Sequence, residues 1–169
     1  KATFVEGDCG DASVLDTIMQ GGTIDAVVHM AGLSLVGESM QEPARYYGNN
    51  VAKALTLLEG MRRHDVKAIV FSSSAAVYGE PLDVPIREEH PCLPTNPYGE
   101  TKLAVERMLG WYQRAYGIGY AALRYFNAAG ASPTADRGED HAVETHLIPL
   151  ILKVALGQRA KVTIFGNDY

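Results

Sequence analysis

Tyr98 and Lys102 stand four residues apart in the run Pro97-Tyr98-Gly99-Glu100-Thr101-Lys102. On a helix that spacing projects both side chains from one face. A phenol with an ordinary pKa near 10 is a poor base at neutrality. An ammonium fixed beside it favours the phenolate and lowers that pKa, and proton transfer is most efficient when the pKa lies near the working pH. The pair alone is a weak signal, because the same spacing arises by chance on solvated helix faces. Its weight comes from Ser72-Ser73-Ser74 upstream and from the ends of the apolar runs around it. These runs finish in Gly7-Asp8, Met30-Ala31-Gly32, Ser72-Ser73-Ser74 and Tyr125-Phe126-Asn127. Each alone reads as an ordinary turn. Together they place glycine, small hydrogen-bonding residues and one acid where open α/β sheets bind ligands, outside the carboxyl ends of the strands.

The elements that must hold these residues alternate along the chain. Short apolar runs at residues 3–6, 26–30, 68–72, 119–125 and 162–165 read as buried strands, without the polar alternation of a half-solvated sheet. Helical periods occupy 12–20, 43–63, 97–116 and 145–156. In the second of these, Val51, Ala54, Leu55, Leu58 and Met61 form an apolar stripe. In the third, Asn96 is placed to cap the helix and Pro97 suits its first position. Strand–helix–strand alternation predicts right-handed crossovers and a parallel sheet with helices on both faces. The stretch from Glu80 to Asn96 reads as a surface loop near the site.

Composition excludes several classes. The chain has 169 residues, 47% of them hydrophobic and 21% charged, which fits one globular domain over residues 1–169. A net charge of −5 argues against a nucleic-acid binder with a basic patch. Two cysteines, Cys9 and Cys92, are too few for a disulfide framework or a zinc site. Asp140, His141, Glu144 and His146 cluster without the His-Glu-x-x-His spacing, and read as solvated loop residues, so no metal is expected. Ser72-Ser73-Ser74 lacks the Gly-x-Ser-x-Gly elbow of a serine hydrolase. His29, in an apolar strand, reads as a core histidine, and Trp111 and Tyr112 read as packing residues. No run approaches a membrane span of about 20 apolar residues, and no signal peptide is visible, so a cytoplasmic setting is expected. The chain opens on Lys1 and an apolar run and closes in a strand-like run, so both ends read as cut.

Tyr98-Gly99-Glu100-Thr101-Lys102, with Ser72-Ser73-Ser74-Ala75-Ala76-Val77-Tyr78-Gly79, resembles the extended short-chain dehydrogenase/reductase family and its NAD-dependent epimerase/dehydratase branch. His29-Met30-Ala31-Gly32, Val36-Gly37-Glu38-Ser39, Tyr46-Tyr47-Gly48-Asn49-Asn50-Val51, Leu123-Arg124-Tyr125-Phe126-Asn127 and Ile164-Phe165-Gly166-Asn167-Asp168-Tyr169 point within it to the UDP-glucose 4-epimerases. The resemblance spans essentially the whole chain. It implies an α/β, Rossmann-like, doubly wound parallel sheet and a partial NAD-binding domain. The family's glycine-rich fingerprint is not among these residues, since Gly7 and Gly10 follow what resembles the family's third strand. The C-terminal part that closes over the nucleotide is not among them either. The chain therefore reads as the middle of such an enzyme, and this stretch alone is expected to be inactive.

The resemblance also assigns roles. Asp8 and Cys9 would meet the adenine of NAD, Met30, Ala31, Gly32 and Leu33 its pyrophosphate and ribose, and Asn49 the cofactor. Ser34 stands where the family often has lysine, which weakens its contact. Lys102 would bind the nicotinamide ribose and Phe126 the nicotinamide. Ser74, Tyr98 and Lys102 would form the catalytic group. Ser74 and Tyr98 would also touch the UDP-sugar, with Asn127, His146, Leu147, Thr163, Ile164 and Phe165. His146 stands where other members carry asparagine. The implied reaction interconverts UDP-glucose and UDP-galactose: Tyr98 takes the 4-hydroxyl proton while hydride leaves C4 for tightly held NAD, and the keto sugar turns and takes it back. Dehydratases and decarboxylases of nucleotide sugars carry an acid just after the serine segment, where this chain has Ala75-Ala76. A non-catalytic nucleotide-binding module on the same fold is the rival from another class, disfavoured because Tyr98 and Lys102 are both retained. The helices at 43–63 and 97–116 resemble the pair through which family members form homodimers.

Overall fold

The computed structural model describes residues 2–134, 136–138, 141, 144–164 and 166. The chain divides into two compact units, residues 1–126 and 127–169. In the first, three strands form a parallel sheet in the order β1 (Val27–His29), β2 (Ala68–Ser74) and β3 (Gly119–Tyr125). The register pairs His29 with Phe71, Ser73 with Arg124 and Ser74 with Tyr125. Helices α1 (Ala12–Met19), α2 (Val36–Gln41), α3 (Pro43–Tyr46) and α4 (Lys53–Arg63) precede β2, and α5 (Pro97–Tyr116) joins β2 to β3. The second unit holds α6 (Leu147–Ala155), which starts two residues later than the sequence reading placed it.

Local chemistry accounts for the helix ends. The Asp11 carboxylate accepts the Ser13 amide at 2.9 Å and caps α1. Asn96 caps α5 by accepting the Gly99 amide at 2.9 Å, and Pro97 follows at the first helical position, as the sequence predicts. Gly117 closes α5 in the left-handed region at φ 71°.

Sheet order determines where the helices lie. The strands succeed one another in a single direction, so right-handed crossovers put the connecting helices on the same face. That face carries the core: Ile69 and Phe71 of β2 pack with Leu15 and Met19 of α1, Leu57, Leu58 and Met61 of α4, and Val105 and Leu109 of α5. The alternate residues Val28, Leu123 and Tyr125 are exposed on the other face. A helix on each face, predicted from the alternation, is therefore not met within residues 2–126.

Five further expectations change. Residues 3–6 find no ladder partner among the described residues and form no strand; Phe4 and Val5 are exposed. Residues 162–164 are likewise outside any strand, and Phe165 lies outside the described residues. The helix read over 43–63 is three segments, with a π-turn at Tyr47–Ala52 between α3 and α4. Leu55 is exposed and Leu57 takes its place in the buried stripe. At 100° per residue Leu55 lies about a quarter-turn off the line through Ala54, Leu58 and Met61. Trp111 is also exposed, stacked under the Arg114 guanidinium at 5.0 Å, whereas Tyr112 packs on the core as expected. The sequence reading gave no helix at 36–41 and no 3₁₀ turn at Ala75–Tyr78.

Candidate active site

The first turn of α5 meets the carboxyl end of β2. Ser74 is the last residue of β2 and its Oγ accepts the Ala76 amide at 3.2 Å, starting the 3₁₀ turn and leaving its own O–H to donate elsewhere. Gly99, one residue after Tyr98, is buried against that turn, and a Cβ there would come 2.5 Å from the Ala76 carbonyl oxygen and 3.0 Å from Pro94 Cβ. The first turn of α5 can therefore close against the 3₁₀ turn only because residue 99 has no side chain. Gly99→Ala is expected to cost about 1–3 kcal/mol of stability, as overpacking of a closed contact does. Chemical denaturation measures it, and an unchanged midpoint would contradict this reading.

Lys102 sits one turn further along. It is buried, its Nζ donates to the Ser72 carbonyl at 2.8 Å, and it lies 5.0 Å from the centre of the Phe71 ring and 5.8 Å from that of Tyr98. Burial holds its pKa down at about 8, because an ammonium withdrawn from water loses hydration. His29, stacked on Phe71 with ring centroids 5.8 Å apart, is kept below its ordinary pKa by burial first and by the Lys102 charge second. It is the core histidine that the sequence implied.

The exit of β1 reaches the same place. Asn50, buried in the π-turn, accepts the Leu33 amide at 2.8 Å and donates back to the Leu33 carbonyl at 3.0 Å. It also donates to Thr101 Oγ1 at 3.2 Å, and Thr101 donates to the Tyr98 carbonyl at 2.7 Å. A Cβ on Gly32 would lie 3.2 Å from Asn50 Oδ1 and 3.6 Å from Lys102 Nζ. The bare backbone of Gly32 thus forms a cradle open toward the lysine, bordered by exposed Met30, Ala31 and Ser34. Asn49, next in the π-turn, donates its amide to Asn50 at 3.1 Å.

Several residues of this arrangement had no role in the sequence reading. Ser39 of α2 is fully buried, accepts the Tyr98 amide at 3.2 Å and donates to the Val36 carbonyl at 2.7 Å. Tyr46 is also fully buried; its hydroxyl accepts the Leu35 amide at 3.0 Å and lies 2.7 Å from the Leu35 carbonyl and 2.8 Å from Glu38. Burial, with Glu38 second, pushes its pKa up to about 12. Ser39, Tyr46 and Asn50 thus tie α2, the π-turn and α5 together around Tyr98. Their side chains give no chemical signal in sequence, since each acts through contacts between distant segments.

Ahead of α1, Asp8 accepts Lys53 Nζ at 2.6 Å and the Gly10 amide at 2.7 Å. The Lys53 hydrogen bond is the main cause that holds its pKa below the ordinary value. Lys53 is a fourth residue without a chemical signal in sequence. Cys9, beside it, is half-buried, and burial raises its thiol pKa. Phe126 is exposed just beyond β3. Asn127, His146, Leu147, Thr163 and Ile164 belong to the second unit and are exposed there. The Glu144 carboxylate accepts the Thr145 and His146 amides at 2.8 and 2.7 Å and meets His146 Nδ1 at 2.9 Å. Among the described residues no group of three His, Cys, Asp or Glu could hold a metal ion, and no helix is long and apolar enough to cross a membrane.

A parallel sheet with helical crossovers, its strand exits facing the first turns of the helices that follow, defines a Rossmann-like α/β protein. The NAD dependent epimerase/dehydratase family matches residues 1–168, and the chain belongs to that family. It is 60% identical over 167 residues to the UDP-glucose 4-epimerase of Halalkalibacterium halodurans, covering 99% of this chain and 50% of that protein. The crystal structure of UDP-glucose 4-epimerase from Brucella ovis in complex with NAD matches with a TM-score of 0.94 and 46% identity, over 98% of this chain and 51% of that one. The enzyme from Bifidobacterium longum in complex with NAD+ and UDP gives 0.91 and 42%, over 98% and 50%. The Rossmann-like α/β fold with its parallel sheet is thereby borne out, and the chain spans about half the length of the relatives it matches.

Proposed function

We propose that the protein containing these residues is an NAD-dependent isomerase that interconverts UDP-glucose and UDP-galactose, and that residues 1–169 are part of its NAD-binding domain. The observation that carries this reading is the placement of Lys102, whose Nζ lies 2.8 Å from the Ser72 carbonyl, 5.8 Å from the centre of the Tyr98 ring and beside the bare backbone of Gly32. Two features support a dinucleotide here: the bare backbone of Gly32 beside Lys102 Nζ, and the Asp8 carboxylate held by Lys53 and the Gly10 amide. Asp8, Cys9, Met30, Ala31, Gly32, Leu33, Ser34, Asn49, Lys102 and Phe126 would hold NAD, which when bound accepts hydride from the sugar and returns it. Lys102 supplies positive charge beside the Tyr98 ring. Tyr98 takes the proton of the sugar 4-hydroxyl and gives it back after the keto sugar has turned, and the Ser74 hydroxyl donates to the sugar oxygen in between. Asn127, His146, Leu147, Thr163, Ile164 and Phe165 are the candidates for gripping the UDP-sugar.

Ala75 and Ala76 begin the turn directly after Ser74 and carry no acid. This favours epimerisation over loss of water, which needs an additional proton donor at the sugar. The reading includes a homodimer through the α4 and α5 surfaces, where Leu55, Trp111 and Tyr116 are exposed. It also includes a cytoplasmic setting, in keeping with the free thiols Cys9 and Cys92. The test is conversion of UDP-galactose to UDP-glucose by the protein that contains these residues. Conversion with NAD retained by the protein throughout is the expected result. Release of a dehydrated sugar, or no conversion, would overturn the reading.

A further inference from the structure

A charged cluster lies directly behind the serine end of β2. Glu106, one turn beyond Lys102 on α5, accepts the Ser73 hydroxyl at 2.5 Å. The Arg124 fork holds the same carboxylate, Nε to Oε1 at 3.1 Å and Nη2 to Oε2 at 2.7 Å. Its remaining nitrogen, Nη1, donates to the Tyr78 hydroxyl at 3.0 Å and to the Glu88 carbonyl at 3.3 Å. The guanidinium carbon also sits 4.8 Å from the centre of the Tyr78 ring. The side chains of Glu106 and Arg124 are only 10% and 24% exposed, so most of their hydration is replaced by these contacts.

The placement of the cluster gives it a use. Ser73 and Arg124 are partners in the β2–β3 register, and both point to the α5 side of the sheet. Ser73 precedes Ser74, and Tyr78 closes the 3₁₀ turn that Ser74 begins. One carboxylate–guanidinium pair therefore holds both ends of the segment that carries Ser74. The same carboxylate belongs to the helix that carries Tyr98 and Lys102, eight and four residues back along one face. We propose that Glu106 and Arg124 are positioning residues for the Ser74–Tyr98–Lys102 group, with Arg124 locking the Ser74 turn and α5 into one geometry. This rests on the epimerase reading for its catalytic meaning, but not for its geometry. Proton transfer requires the acceptor within hydrogen-bond reach, and a displacement of about 1 Å can cost 10²-fold in rate.

Two conservative variants separate positioning from bulk stability. Tyr78→Phe removes only the hydroxyl arm. Arg124→Lys keeps the charge, yet an ammonium lacks the planar fork that spans Glu106 and Tyr78 together. Each variant is to be compared with the wild type in denaturation midpoint, in kcat and KM for UDP-galactose, and in hydrogen exchange at the Ala76 amide, which is bonded to Ser74. The expected result is a kcat lower by about tenfold or more, a KM little changed, and Ala76 exchange accelerated beyond the change in global stability. Glu106→Gln, which still accepts from Ser73, should retain more activity than Glu106→Ala. Unchanged Ala76 exchange, or a kcat that falls only in step with global stability, would overturn the proposal. If the wild type converts no sugar, the epimerase reading fails, and the Ala76 exchange rate alone decides whether the clamp holds the turn.

Discussion

Replacing Tyr98 by phenylalanine is expected to lower turnover by about 10²- to 10⁴-fold, the usual contribution of a positioned acid–base group, while leaving the fold intact. The phenylalanine keeps the ring, and the backbone contacts of residue 98 with Ser39 and Thr101 do not involve the phenol. The loss should fall on kcat with little change in KM, because the proton moves only in the reaction itself. Steady-state kinetics on the variant check this. Turnover within about threefold of wild type would remove Tyr98 from the acid–base role.

Lys102→Met is expected to have two separable effects. Loss of the ammonium 5.8 Å from the centre of the Tyr98 ring should lower activity by about 10²- to 10³-fold, the usual cost of removing one electrostatic stabiliser from a site. The second effect is on stability as a function of pH. Burial lowers the Lys102 pKa from 10.5 to about 8 in the folded chain. Below pH 8 the folded and unfolded chains both carry the proton, and the full cost of burying the charge is present. Between pH 8 and 10.5 the folded chain has released the proton and the unfolded chain has not, so folding becomes more favourable as pH rises. The wild type should thus gain roughly 3 kcal/mol on the Met variant across that interval. Other titrating groups are common to both proteins and cancel in the difference. Denaturant midpoints at pH 7.5 and pH 10.5 measure it, and a pH-independent difference would contradict a buried ammonium at this position.

The parts of this site that sequence displays are those written in local spacing. Tyr98 and Lys102 share a helix face, Asn96 and Pro97 announce where that helix begins, and the strand read at 68–72 is an Ile, Val and Phe run leading into serines; the structure extends it to Ser74. Family likeness added the cofactor and the substrate, which spacing alone does not name. What stayed hidden is built from long-range contacts. Ser39 reaches Tyr98 across 59 positions and Lys53 reaches Asp8 across 45, and nothing near either residue marks the encounter. The short helix Val36–Gln41 is too brief to show a helical period, and at six residues it depends on tertiary contacts for its stability. The error at residues 3–6 has the opposite origin. An apolar, β-branched run expresses strand propensity, but a strand exists only where a neighbour accepts its hydrogen bonds. The clamp of Glu106 on Ser73 and Arg124 is hidden for the first reason, since it joins a helix to two strands across 33 and 18 positions.

The most direct test of the central claim is the fate of the C4 hydrogen when the protein converts UDP-galactose in deuterium oxide. If Tyr98 moves only the hydroxyl proton and the carbon-bound hydrogen leaves and returns as hydride, the UDP-glucose formed retains protium at C4. Deuterium at C4 would mean that the hydrogen exchanges with solvent as a proton, and would contradict the roles assigned here to Tyr98, Lys102 and NAD.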